Sequence, residues 1–156
     1  ITIELGLQSI HESTMINLNR NHSLDCLVNA VLALKKANIR TCLHIINGLP
    51  NENTTMMLDT AKFVAKLNVD GIKIHMLHII NDAILADIYQ KQPFSLLNEK
   101  EYVQTVIKQL EILPKKMVIE RLTGDAIKDN LIAPLWTLKK TIVLNDIAKE
   151  MVKQDT

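Results

Sequence analysis

In the stretch ITIELGLQSI, residues 1–10, the first eight residues alternate without a break. Ile1, Ile3, Leu5 and Leu7 fall on one side, and Thr2, Glu4, Gly6 and Gln8 on the other, which is the period of a strand. In a buried parallel sheet, helices cover both faces and strands read as apolar on both sides. The polar side of this strand therefore needs somewhere to point. The same pattern returns in IRTCLHIING, residues 39–48, where His44 shares a side with Cys42, Ile46 and Gly48 while Leu43 and Ile45 face away. In VDGIKIHML, residues 69–77, Gly71, Lys73 and His75 alternate with Ile72 and Ile74. MVIERL, residues 117–122, must commit Glu120 or Arg121 to one face. A doubly wound sheet would bury these groups, whereas a barrel lumen that serves as a cavity accommodates them. The expected fold is α/β: a partial, half TIM-like β/α barrel of parallel strands.

Helical stretches separate the strands. HESTMINL makes a short helix, and SLDCLVNAVLALKKAN a longer one with Ser23 as N-cap. A third begins at Asn53 or Thr54 and runs to about Leu67. HIINDAILADIYQKQ holds a helix before Pro93, LNEKEYVQTVIKQLEIL another with charges on its outer face, and TLKKTIVLNDIAKEMVK the last. Alternating units of this kind give parallel strands joined by right-handed crossovers. Residues 1–156 read as one domain, with a helical extension from about residue 123. The chain starts directly in a strand, at Ile1, and is read as a piece of a longer chain.

Composition narrows the function classes. The 156 residues are 47% hydrophobic and 22% charged, which is globular, and the net charge of +1 supplies no field for nucleic acid or an anionic membrane. Aromatics at 3% leave few platforms for stacking bases. No signal peptide or spanning segment is visible, so a cytoplasmic protein without membrane contact is expected. Cys26 and Cys42 form no CxxC pair and are read as buried free thiols in a reducing compartment.

In β/α barrels chemistry gathers at the C-terminal ends of the strands. Those ends read GLQS, INGLPNE, KIHMLH and ERLTGD. Gln8 and Ser9 can hydrogen-bond a small ligand, Gly48 allows close backbone approach, Pro50 stiffens the turn, and Asn47 and Glu52 add polar groups. Read plainly, GLP is equally a strand-to-helix turn. Glu4 and Lys73 would pair across the lumen, and His44 is either a hydrogen-bonded core histidine or a ligand. His75 and His78 lack a third neighbour and are not read as a metal site. Arg121, with Thr123 and Asp125, either binds an anionic group or sits in a solvated loop.

ELGLQS at 4–9, NRNH at 19–22, HIINGLPNE at 44–52 and DGIKIHMLHI at 70–79 together resemble the later half of a radical S-adenosylmethionine (SAM) enzyme. The resemblance is to an uncharacterised bacterial group of Fe–S oxidoreductases, similar in turn to the radical domain of the Elongator catalytic subunit. It extends over most of residues 1–135, through LIAPLW. It implies that Gln8 and Ser9 lie near the SAM ribose or methionine, with Arg20 and His22 in the adjoining turn. It implies further that Gly48 and Pro50 wall the adenine with Glu52 behind, and that His75, His78 and Arg121 face the substrate. Asn21 departs from the group, which has Gly between Arg and His; Asn tolerates left-handed backbone best among the other residues.

A [4Fe–4S] cluster on a CxxxCxxC loop belongs to the same family, and this chain has no such loop. The resemblance thus implies the second half of an enzyme whose intact parent cleaves SAM to a 5′-deoxyadenosyl radical that abstracts hydrogen from an unknown substrate, tRNA being conceivable. The chain alone would be inactive and hold neither cofactor tightly. Its expected partners are the missing N-terminal half of the barrel or a second copy, bound through the open edge of the first strand. A non-catalytic β/α binding or scaffold domain is the alternative, and a metal-dependent hydrolase using His44, His75 and His78 a more distant one.

Overall fold

The structure, a computed structural model, describes residues 1–155. In chain order its elements are β1 (Thr2–Gln8), α1 (Glu12–Asn17), α2 (Leu24–Lys36), β2 (Arg40–Asn47), α3 (Thr54–Leu67) and β3 (Gly71–Met76). There follow β4 (Ile79–Ile80), α4 (Ile84–Lys91), α5 (Glu99–Ile112), β5 (Val118–Arg121), β6 (Leu131–Ala133) and α6 (Lys140–Gln154). β1, β2, β3 and β5 form one parallel sheet in sequence order. This is the sheet expected from alternation, and it is a partial β/α barrel.

Three of the helices, α2, α3 and α5, begin where a side chain satisfies a free N–H group. The Ser23 hydroxyl accepts from the Cys26 amide at 3.2 Å, and Asn53 accepts from the Met56 amide at 3.0 Å. Asn98 and Glu101 form a reciprocal capping box that starts α5. α3 stops at Asn68, whose left-handed backbone is the usual helix terminator.

One apolar core holds the sheet to its helices. Leu7, Leu43, Ile45, Ile72 and Ile74 supply the sheet side; Val31 of α2, Val64 of α3, Val106 of α5 and Ile147 of α6 pack with them. Tyr102 is buried in this core, where its hydroxyl donates to the Leu122 carbonyl at 2.8 Å and its ring lies 5.4 Å from that of Trp136. The opposite face carries Glu4, His44, Lys73 and His75 in adjacent register, with Gly6 opposite His44 and His44 opposite Lys73. Glu120 reaches this face, its carboxylate 3.8 Å from Lys73, and a register irregularity in β5 makes Arg121 the strand partner of Lys73.

Two expectations are corrected. The segment after β3 is not only helical: β4 pairs antiparallel with β6 in a two-stranded sheet beside the main one. Strands of two and three residues are too short to show a period. Leu49, Leu77, Ile79 and Ala86 form a small second core there, and it reaches Ile46. The second correction concerns the thiols. Both are free, but only Cys42 is buried; Cys26 is exposed on the outer side of α2.

A paired comparison checks how far the core extends toward β5. Ile72 is fully buried, whereas its sheet neighbour Ile119 is 37% exposed. Ile72→Ala should lower unfolding free energy by about 2–5 kcal/mol. Ile119→Ala should lower it by clearly less, as chemical denaturation would measure.

Candidate functional site

Four polar residues meet where β1 and β2 end. A register irregularity between Gly6 and Gln8 and a left-handed Gln8 (φ 58°) swing the chain out of the sheet. Arg20 returns from the turn after α1 and donates to the Gln8 side chain and to the Gly6 and Leu7 carbonyls. The Ser9 hydroxyl donates to the Glu52 carboxylate, joining the end of β1 to the loop after β2, and accepts from the His11 amide at 3.1 Å. Gln8, Ser9, Arg20 and Glu52 are thus one constellation. Ser9, Arg20 and His22 also line a cavity of about 530 Å³ with Leu7, Met15 and Leu27. His22 is exposed, whereas Gly48 and Pro50 are buried.

Gly48 has a geometric reason of its own. Its φ of 86° is left-handed, and a Cβ there would lie 3.3 Å from the Leu97 side chain. The space beside it is occupied by Leu97. Asn47 also differs from expectation: its side chain is buried on the helix side, where it exchanges hydrogen bonds with Gln109, so it offers nothing to a ligand. Sequence reading overlooked Gln109. Its place seven residues after Tyr102 and three after Val106, inside the apolar stripe of α5, was the available signal.

Along the polar face, Lys73 Nζ lies 2.6 Å from Glu4, and His44 Nε2 lies 2.8 Å from the other oxygen of Glu4. The expected Glu4–Lys73 pair is therefore present. The Lys73 hydrogen bond holds the Glu4 carboxyl below its ordinary value and, reciprocally, holds the ammonium above its own. His44 is engaged by Glu4 and packs its ring parallel to that of His75, with centroids 5.5 Å apart.

At the end of β3, His75 and His78 converge on Gly124: an added Cβ would lie 3.6 Å from His75 Nδ1 and 3.2 Å from His78 Nδ1. Nε2 of both rings is buried with no hydrogen-bond partner among the described residues. Burial, then His44, pushes His75 down to about 4, and burial lowers His78 as well. Arg121 is not free for an anion, since Asp125 accepts from it at 3.2 Å and from Lys140 at 2.6 Å.

Cluster ligation does not fit these residues. Burial, then Glu120, pushes the Cys42 thiol up to about 12, far from a ready thiolate, and Cys26 stands on a different element. Among the described residues, no three His, Cys, Asp or Glu side chains are placed to hold a metal ion. No helix among them is long and apolar enough to cross a membrane.

The neutral histidines make stability depend on pH. An unfolded His75 takes up its proton near pH 6.5, while the folded one waits until about 4. Between those values the unfolded chain binds more protons, so stability should fall as pH drops from about 6.5 to about 4. Urea midpoints measured across this range should show the decline, and His75→Leu should flatten it.

Comparison with known proteins agrees with this architecture. The model of the Radical_SAM C-terminal domain matches residues 69–153. YtqA of Bacillus subtilis (strain 168), an uncharacterized protein, is 46% identical over 149 residues, covering 96% of this chain and 46% of its own. The tRNA uridine(34) acetyltransferase of Methanocaldococcus infernus is 24% identical over 126 residues, 79% of this chain and 24% of that enzyme. The chain thus spans less than half the length of either relative. The solved structure of archaeal Methanocaldococcus infernus Elp3, with its N-terminus deleted, superposes with a TM-score of 0.84 at 21% identity. It covers 99% of this chain and 36% of that one, and it shows the same fold. With the matched model spanning more than half of it, the chain belongs to the Radical_SAM C-terminal domain family.

Proposed function

We propose that the chain is the later half of a radical SAM enzyme and that its part in the reaction is to hold SAM. The carrying observation is the constellation at the ends of β1 and β2, where Ser9 and Glu52 meet beside Gln8 and Arg20. This donor set suits SAM. A carboxylate such as Glu52 accepts ribose hydroxyls or an ammonium, and Arg20 and His22 complement the methionine carboxylate. Gly48 and Pro50 lie in the loop between Asn47 and Glu52; with the space beside Gly48 taken by Leu97, the backbone of this loop would serve as the wall for the adenine. His75 and His78, at the end of β3, face the substrate side with Arg121.

When bound and reductively cleaved in the intact parent, SAM supplies a 5′-deoxyadenosyl radical that abstracts hydrogen from the substrate. The [4Fe–4S] cluster that such enzymes use would come from the N-terminal half, since this chain has no ligand set for it. That half would also pair with the free edge of β1, which otherwise recruits a second copy of the chain. The name of the Methanocaldococcus relative keeps tRNA among the candidate substrates. The exposed polar face, with its network of Glu4, His44 and Lys73, supports a water-lined cavity over a bare scaffold.

Calorimetry on the full-length protein tests the site. Gln8→Ala and Glu52→Ala should each weaken SAM binding at least about tenfold, which corresponds to about 1.4 kcal/mol. Wild-type affinity in both would remove the assignment. Gly48 is a poor probe, because a side chain there strains the backbone and meets Leu97 whether or not a ligand is present.

A further inference from the structure

The only polar contact that ties the end of β2 to α5 through paired side chains among the described residues is deep in the core. Asn47 closes β2, and strand alternation turns it to the helix face with Leu43 and Ile45. It is 2% exposed, and Gln109 of α5 is 0% exposed. Asn47 Nδ2 donates to Gln109 Oε1 at 2.8 Å, and Gln109 Nε2 donates back to Asn47 Oδ1 at 2.9 Å. The second hydrogen of Gln109 Nε2 goes to the Met57 carbonyl of α3 at 3.1 Å. The Asn47 carbonyl in turn accepts from the Leu77 amide at 2.9 Å, and the Gly48 amide contacts Met57 Sδ at 3.3 Å.

Gln109 and the Leu77 amide thus grip the residue that precedes left-handed Gly48, and α3 holds Gln109 and Gly48 themselves. Stability alone does not call for amides here. Replacing both partners of a buried hydrogen-bonded pair by apolar groups of similar shape is nearly neutral, whereas removing one strands the other. An amide pair differs from a leucine pair in direction: it accepts one mutual orientation and refuses slippage. Downstream of that fixed point the chain makes five residues to Glu52, which must meet Ser9.

We propose that Gln109 is a positioning residue for the SAM site, acting through Asn47 to set the course of residues 48–52. The inference rests on the SAM reading of the β1–β2 constellation. Gln109 touches no ligand; its function is to bring Glu52 against Ser9 before the ligand arrives.

The test uses the full-length protein and three measurements. Gln109→Leu should lower the thermal midpoint and weaken SAM binding, seen by calorimetry, because it leaves the Asn47 amide unpaired. The double variant Asn47→Leu/Gln109→Leu should recover most of the midpoint while its SAM affinity stays at least tenfold below wild type. Amide exchange at residues 48–52 should be at least tenfold faster in both variants, with the interior of α5 unchanged. A double variant that binds SAM like wild type overturns the positioning role and leaves the site reading intact. Should the double variant not fold, wild-type exchange at residues 48–52 in Gln109→Leu overturns it equally. A wild-type protein that binds no SAM removes the site reading, and the positioning role falls with it.

Discussion

Lys73 lies between Glu4 at 2.6 Å and Glu120 at 3.8 Å, so three strands share one cation on one face of the sheet. Charges of this kind are not placed beneath a helix without heavy desolvation. Once β1, β3 and β5 carry them on the same side, helices are confined to the other side. The layering of the molecule follows. α2, α3, α5 and α6 cover Leu7, Leu43, Ile45, Ile72 and Ile74, and the charged face is left without a helix over it. The ends of the strands, where Ser9 and Glu52 meet, are the place where the proposed site lies.

The proposed site is built from groups that already hold one another. Arg20 secures the end of β1, Ser9 bonds to Glu52, and the Asn47–Gln109 pair fixes the start of the intervening loop. Such preorganisation lowers the ordering that binding must impose. The two histidines at the end of β3 are different. Their buried Nε2 atoms have no partner among the described residues, and burial keeps both rings toward the neutral form. Buried polar atoms of this kind are uncommon in native structures and gather at functional positions.

Much of this was legible in the sequence because β1, β2 and β3 alternate over at least four residues and α2 and α3 carry cap residues at their starts. Ser23 and Asn53 mark helix starts, and Glu4 and Lys73 were readable as a pair. What was not legible depends on partners distant in the chain. Asn47 looked like a ligand group because it neighbours Gly48, and only the approach of Gln109, 62 residues later, turns it to structure. Arg20 was placed only in the turn near Gln8, and the carbonyls it bonds come from the irregular end of β1. β4 and β6 are too short for any period, and Cys26 sits on a helix side whose exposure depends on how α2 is rolled against the sheet.

The central claim is that this polar face is the inner wall of a barrel whose other half lies in the same full-length protein. In a parallel strand alternate amides point to opposite neighbours, so those of Thr2–Gln8 that face away from β2 lack a strand partner among the described residues. Residue-resolved hydrogen exchange on the full-length protein measures them directly. The account predicts that these amides are protected about as strongly as those of β2, because a preceding strand pairs with them. Rapid exchange at these amides in the full-length protein would mean that β1 is a true edge, and it would contradict the account.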